Sequence, residues 1–426
     1  MPFLNSLLRP SLACFCLWSA TVAAEPLVEW SGRAIAEAEA LRNTELRRGS
    51  KRINELAIEP TLRLNAHIRR DAALSGFVET ELSREIERET GETPQKANKL
   101  SLNQAYVTLK PDTAWAQTRV RLGRWQLRDE REWLFDENID GLLLEATRGR
   151  WSVQALGGRV NHWQRDLLDS STKGNPVNTT AVLARYRLDK DWQLGTYAVA
   201  QRDLSTDRDR LLHLGLRSHA DPDKRLRHWL EVATVRGREE GESLRGHALD
   251  AGGTYVFHKA ALRPRLTLGY AWGSGDGNAS DGRRRHYRQS GLQSNEADFG
   301  GLTKYQVYGV ALNPELRNLH ILTAGVGLNL APQLTLDMVY HRYTQHHLAT
   351  LTRRSTELNP DTDILSTRRL GSGLDVVLGW RPRRDIKLEA AVGWFDPSAR
   401  FRNGSSAQAQ QSSSAYAAWV ELGLGF

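Results

Sequence analysis

The chain is nearly without sulfur. Its only cysteines, Cys14 and Cys16, fall in the first two dozen of 426 residues, and Met338 is the single methionine after the first residue. A disulfide framework is therefore excluded for everything that follows. Long apolar runs are missing as well: no stretch beyond residue 24 reaches the roughly 18 continuous apolar residues of a membrane helix. Together with a mean hydropathy of −0.51, this excludes a polytopic helical transporter. Any crossing of a membrane has to be made by strands closed into a barrel. Disorder is excluded too, because 40% of the residues are hydrophobic and only 25% charged. Lysine is scarce: the 58 cationic residues divide into 10 Lys and 48 Arg, against 50 acids, for a net charge of +8. Lys suffices to solvate a surface, whereas Arg keeps its charge and its planar fork in confined places, so the bias points to a dense anion-binding surface.

Residues 1–24 read as a signal peptide. Arg9 supplies the positive start, Leu12 to Trp18 the short apolar stretch, and Val22-Ala23-Ala24 the small-residue cleavage site. Acylation of Cys14 is the alternative, but Ser11-Leu12-Ala13 matches a lipoprotein signal poorly. Cleavage leaves residues 25–426 as one cysteine-free domain, suited to an oxidising periplasm.

From there the chain is dominated by period two, the mark of a strand. Leu266, Leu268, Tyr270 and Trp272 alternate with Arg265, Thr267, Gly269 and Ala271. Leu322 to Leu328 and Leu334 to Tyr340 flank Ala331-Pro332-Gln333 as a hairpin, and Leu374 to Trp380 and Ile386 to Trp394 flank a turn at Pro382 to Asp385. Earlier hairpins turn at Arg148-Gly149-Arg150 and Asp189-Lys190-Asp191. Period alone does not separate a soluble sandwich from a membrane barrel. Three features favour the barrel. Trp151, Trp192, Tyr270, Trp272, Tyr340, Trp380 and Trp394 sit at strand ends, where aromatic girdles meet a lipid interface. Short turns alternate with long polar loops such as Gly273 to Lys304 and Thr344 to Gly371. The last segment, Tyr416 to Phe426, alternates to a terminal aromatic and resembles the sorting strand of Gram-negative outer-membrane proteins. At about 22 residues per strand and connection, the expected fold is all-β, a transmembrane antiparallel barrel of roughly 18 strands. Such a barrel is too wide to be filled by its own side chains and holds a channel, a plug or both.

The densest charge lies between Arg119 and Trp133. With Val120 and Leu122 towards lipid, Arg119 and Arg121 face the lumen. Arg124, Arg128 and Arg131 then leave the strand among Asp129, Glu130, Glu132 and Asp136. A solvated loop of self-compensating pairs is one reading of this stretch. The other is a constriction lined by guanidinium forks and steadied by the acids, with Arg265 as a further lumen cation.

Leu122-Gly123-Arg124 followed by Arg128-Asp129-Glu130-Arg131-Glu132-Trp133-Leu134-Phe135-Asp136-Glu137-Asn138-Ile139-Asp140-Gly141 resembles the signature of the alginate export family of outer-membrane proteins. Gly291 to Asn295, Phe299-Gly300-Gly301, Tyr308-Gly309, Asn313 to Leu322 and Asp337 to Tyr343 extend the resemblance over most of the mature chain. Val310 stands where the family often carries an acid. The resemblance implies an 18-stranded barrel whose arginine-rich lumen passes a linear polyuronate and whose loops close its ends.

Other constellations say less. Asp276, Asn278 and Asp281 offer oxygens like a calcium loop but lack the glutamate at position 12, and Gly and Asp are ordinary turn residues. His341, His346 and His347 invite a metal reading, though the first falls on a strand and the others in a loop. Arg283-Arg284-Arg285 with His286, Tyr287 and Arg288 would suggest nucleic acid in a cytoplasmic protein, whereas behind a signal peptide lipopolysaccharide phosphate or the exported anion fits better. The expectation is a monomeric outer-membrane pore without cofactor or catalytic centre. It exports an anionic exopolysaccharide, with outer-membrane lipid and periplasmic export proteins as its other partners and no nucleic acid. The rival readings are an uptake porin for acidic oligosaccharides and, further off, a barrel enzyme.

Overall fold

Hydrocarbon offers a backbone no hydrogen-bond partner, so each strand has to be paired on both sides. The computed structural model meets that demand. It describes residues 27–44, 46, 53–161, 166–169, 174–205, 208–220, 225–278, 280–349, 351–353, 356–358, 368–398 and 413–426. The proposed signal peptide lies outside them. Thirteen strands come first: β1 Leu27–Arg42, β2 Asn54–Arg69, β3 Leu74–Glu89, β4 Gln95–Leu109, β5 Gln117–Arg128, β6 Asp136–Arg148, β7 Trp151–Val160, β8 Val177–Arg187, β9 Trp192–Asp203, β10 Arg210–Ala220, β11 Leu226–Glu239, β12 Glu242–Val256 and β13 Arg265–Gly273. Three short ones follow, β14 Arg283–Arg284, β15 Glu296–Ala297 and β16 Tyr305–Gln306, before β17 Leu319–Ala331 and β18 Leu334–Gln345. The chain ends with the short β19 Leu351–Arg353 and β20 Thr356–Leu358, then β21 Arg369–Trp380, β22 Ile386–Pro397 and β23 Ala415–Gly425.

The eighteen long strands form one antiparallel ring in chain order. It is closed where β1 meets β23 from Arg33 opposite Gly425 to Arg42 opposite Tyr416. The expected strand number holds. β1 begins and β23 ends at one end, the terminal end, with short turns such as 149–150 and 332–333; the far end carries longer connections, above all 274–318 and 346–368. The first of these outruns the expected loop by fourteen residues, because Tyr305 to Asn318 also stays off the wall.

The alternation sorts outward from inward. On β13 Leu266 and Leu268 are exposed, the latter at 70%, while Arg265 and Thr267 are buried. An apolar side facing out and a polar side facing in is the reverse of a soluble sandwich. Leu122 likewise points out at 62% exposure, and Arg119 points in, where its Nη1 donates to Glu145 Oε2 at 2.9 Å.

The ring is completed at Gly32 and Phe426. Gly32 N–H donates to the Phe426 carbonyl at 2.8 Å, and Phe426 N–H returns a bond to the Gly32 carbonyl at 3.0 Å. A Cβ at Gly32 would meet the Phe426 ring at 2.4 Å, so a larger residue there would push the ring from its place. Deleting Phe426, or replacing Gly32 by Val, should lower the amount of heat-modifiable barrel on gels several-fold while the secreted chain still reaches the periplasm. Unchanged assembly of both variants would show that this rung is dispensable.

Candidate functional site

The hairpin of β5 and β6 does not stay in the wall. β4 and β5 pair only from Leu109–Val120 to Ala105–Arg124, whereas β5 and β6 remain paired to Arg128–Asp136. The strand thus runs past Arg124, where the sequence suggested a loop. Gly123, at φ +128°, stands at the parting, and a Cβ there would lie 2.3 Å from the Ala105 carbonyl. Beyond it, the hairpin tip and the 274–318 segment grip each other inside the barrel. Glu132, at φ +50° and 1% exposed, takes Lys304 Nζ at 2.8 Å and the Ser294 hydroxyl at 2.5 Å, and its carbonyl accepts Asn295 N–H at 3.0 Å.

The tip is also fastened to the wall. Asp129 accepts backbone N–H groups of Leu134 and Phe135 at 2.9 and 2.8 Å and pairs with Arg217 at 3.2 Å; Arg217 in turn holds Glu130 at 3.1 Å and Glu231 at 2.8 Å. Burial alone would push the Glu130 carboxyl up, but the guanidiniums of Arg185 and Arg217 outweigh it and hold the group below its ordinary value. Arg131 lies over the Trp229 ring at 4.2 Å and 3.6 Å from Asp250. Asp250 also accepts Trp229 Nε1 at 2.8 Å and the Tyr308 hydroxyl at 3.0 Å, and Tyr308 accepts Trp133 Nε1 at 2.9 Å. On the other side Val310 N–H reaches Asp375 at 3.2 Å and Tyr343 donates to the Tyr308 carbonyl at 2.8 Å. Gly309 is obligatory there, at φ +105° with the Tyr343 hydroxyl 2.1 Å from where a Cβ would sit.

Between these inward segments and the opposite wall lies a cavity of about 1200 Å³. Its lining includes Arg33 to Glu39 in the middle of β1, His258 and Arg263 of the turn 257–264 and Arg381 just after β21, so it reaches towards the terminal end. Nine of its residues are cationic: Arg33, Arg63, Arg128, Arg227, Arg263, Arg265, Lys304, Arg381 and Lys387. Nine are acidic: Glu37, Glu39, Glu59, Glu81, Glu132, Glu296, Asp298, Glu389 and Glu421. The charges are unevenly placed. Glu59, Glu37, Glu421 and Glu389 stand opposite one another on β2, β1, β23 and β22, an acidic row across the closing seam. Arg227, Arg263 and Arg265 come from β11, β13 and the turn between β12 and β13, and Arg128 and Lys304 from the inward segments. Most of the cations are already paired, Arg63 with Glu81 at 2.5 Å, Arg128 with Asp136 at 2.6 Å, Arg227 with Asp298 at 2.9 Å and Lys387 with Glu389 at 2.7 Å. Arg33 and Arg263 are exposed and carry no ion pair among the described residues.

Of the six arginines singled out from the sequence, Arg128 and Arg265 border this cavity. Arg265 is 2% exposed, fixed to Asp337 at 2.9 Å and to Asn329. Arg119 borders a separate recess at the terminal end, Arg121 covers the Tyr106 ring at 4.3 Å, Arg124 pairs with Asp140 at 2.9 Å, and Arg131 is buried. Asp129, Glu130 and Glu132 act as fasteners, and Asp136 steadies Arg128. The oxygens suggested for calcium are spoken for: Asp281 and Asp276 both hold Arg285, at 2.6 and 3.6 Å. His341 is buried between Thr323 at 3.0 Å and Asp375 at 3.1 Å, away from His346, which accepts Trp272 Nε1 at 3.0 Å. Among the described residues no three His, Cys, Asp or Glu side chains gather as metal ligands. Arg33, Arg63, Arg263 and the acidic row were not legible in the sequence, because they come from segments far apart in the chain and form no local run.

A family model described as alginate export matches residues 33–414. The chain belongs to the alginate export family. No curated protein sequence matches it. Solved structures that share its fold include OccK7 (OpdD) of Pseudomonas aeruginosa, with 14% identity and a TM-score of 0.56 over 95% of this chain and 99% of that one. OccK2 (OpdF) of the same organism, solved in complex with glucuronate, gives 13% identity and 0.56 over 94% and 98%. The OprD outer-membrane protein of Pseudomonas aeruginosa adds 11% and 0.51 over 93% and 94%. This family member is a porin-like barrel of the Gram-negative outer membrane, and its architecture is that of a channel rather than of an enzyme.

Two outcomes test the site. Asp250→Ala leaves Arg131 buried without its carboxylate and two donors without an acceptor, a loss of about 3–5 kcal/mol. The temperature of heat modification should fall and channel conductance rise as the inward segments loosen; Asp250→Asn should be milder. Glu296, in the inward segment, is pushed up to about 7 by burial, with Glu132 and Asp136 adding to the effect. A carboxyl raised in the folded state steadies the segment fully below its unfolded value, and that support is lost as pH rises through about 7. Current noise should therefore grow between pH 6 and 8, and Glu296→Gln should flatten the change.

Proposed function

We propose that this family member passively exports an anionic exopolysaccharide, alginate or a similar polyuronate, from the periplasm through its lumen. Membership of the alginate export family carries the reading, and the charged cavity reaching towards the terminal end is consistent with it. In this reading the terminal end faces the periplasm, and the guanidiniums of Arg33 and Arg263, without an ion pair among the described residues, meet the polymer first. Deeper in, each uronate carboxylate displaces a fixed acid from an arginine such as Arg63, Arg128 or Arg227, and the acid reclaims its partner as the sugar moves on. Attraction speeds arrival, while the interleaved acids keep any one site from becoming a trap. Synthesis or periplasmic delivery supplies direction, and the pore does no covalent chemistry.

A second reading is uptake of small acidic saccharides, favoured by one observation: OccK2, similar in fold, is solved with glucuronate. Single-channel block by polymannuronate, compared with free mannuronate, separates the two. Export predicts that the polymer blocks at least tenfold more strongly per residue than the monosaccharide, and from the terminal side first. Arg33→Glu, Arg263→Glu and Arg128→Glu should each weaken polymer block several-fold, with Arg→Lys intermediate because the charge survives without the bidentate fork. Normal block in well-assembled variants would remove these residues from the path; equal block by monosaccharide and polymer would favour uptake.

A further inference from the structure

The outer wall carries a second concentration of arginine, unrelated to the lumen. Arg202 on β9, Arg210 on β10, Arg236 and Arg238 on β11 and Arg245 on β12 are all exposed. They share the outward face of their strands: on β10 Arg210 continues the series Leu212, Leu214 and Leu216, exposed at 39, 38 and 62%, and on β11 Arg236 and Arg238 continue Leu230 and Val232. The ladder sets like charges face to face three times, Arg202 opposite Arg210, Arg210 opposite Arg238 and Arg236 opposite Arg245. Directly opposed like charges destabilise a sheet. None of the five has an ion pair or side-chain hydrogen bond among the described residues. The acids of that rim are engaged elsewhere: Glu239, Glu240 and Glu242 hold Arg284, and Asp209 holds Arg288.

Next to the arginines, towards the middle of the wall, the outward face is hollowed. Ala184, Thr196 and Ala198 form the floor of a groove between Val182, Leu214 and Val232, with Arg236 and His247 at its head. A shallow apolar trough on a lipid-facing wall, ending under unpaired guanidiniums at the far rim, has the shape and charge of a site for one molecule: an acyl chain in the groove and a phosphate on the forks. Charge at this height costs little in the membrane, since the penalty for Arg on the lipid face falls towards zero near the interface.

We propose that the β9–β12 wall binds a phosphorylated acyl glycolipid of the outer leaflet, of the lipid A type, through Arg202, Arg210, Arg236, Arg238 and Arg245. The bound phosphates relieve the three opposed arginine pairs, and the site is independent of what the lumen carries. Purified barrel would be titrated with bisphosphorylated lipid A, its dephosphorylated counterpart and phosphatidylglycerol, and retained lipid read by native mass spectrometry. Bisphosphorylated lipid A should be retained at least tenfold more tightly than either of the others. An Arg210→Gln/Arg236→Gln/Arg238→Gln variant should lose most of that difference while heat modification and pore current stay as in the parent, and Arg150→Gln in a turn at the opposite rim should change nothing. Ala198→Trp, which fills the groove with the arginines intact, should weaken retention as well. Equal retention of the phosphorylated and dephosphorylated glycolipids by the parent, equal retention of phosphatidylglycerol, or full retention by the triple variant would overturn the site. The parent's phosphate comparison decides the matter even if the triple variant fails to assemble.

Discussion

The pairing of every backbone N–H and C=O across a membrane is the constraint from which this structure follows. It forces eighteen strands into a ring, and a ring of that circumference encloses more space than its inward side chains fill. The excess is taken up by chain that is not wall. The β5–β6 hairpin departs at Gly123, the 274–318 segment descends from the far end, and both are held by charge rather than by apolar packing alone. A lumen in contact with water makes that solution sensible, because buried pairs such as Arg217 with Asp129 and Glu231 fix geometry where apolar contacts would permit sliding.

The same economy explains why so many arginines in the most basic stretch do not line the open path. Arg131 and Arg217 join inward segments to wall, and Arg124 ties β5 to β6. The cavity instead draws its nine cations and nine acids from strands and loops far apart in the chain, so charges of both signs stand around its wall.

The ring was legible in the sequence because alternation is a local property: Leu266, Leu268 and Tyr270 announce a lipid face with no knowledge of their neighbours. The hairpins at Gly149 and Pro332 were equally plain. The site was less so. Arg131 and Glu132 stand in a conspicuous run, but whether they face a channel or are tied into buried pairs depends on Asp250 and Lys304, more than a hundred residues away. The acidic row is the extreme case. Glu37, Glu59, Glu389 and Glu421 are neighbours only through the register of four strands, two from each end of the chain.

That β1 finds its second partner only in β23 sets an order of events. Gly32 cannot find its partner until Phe426 has been made and delivered, so the amino-terminal strand crosses the periplasm with one edge open while nearly four hundred residues follow it. An open edge is a template for wrong pairing. The outward face of that first strand bears Val28 and Trp30, exposed at 41 and 75% and fit for lipid but not for water. The unpaired edge of β1 is covered only when β23 arrives, hundreds of residues later in the chain.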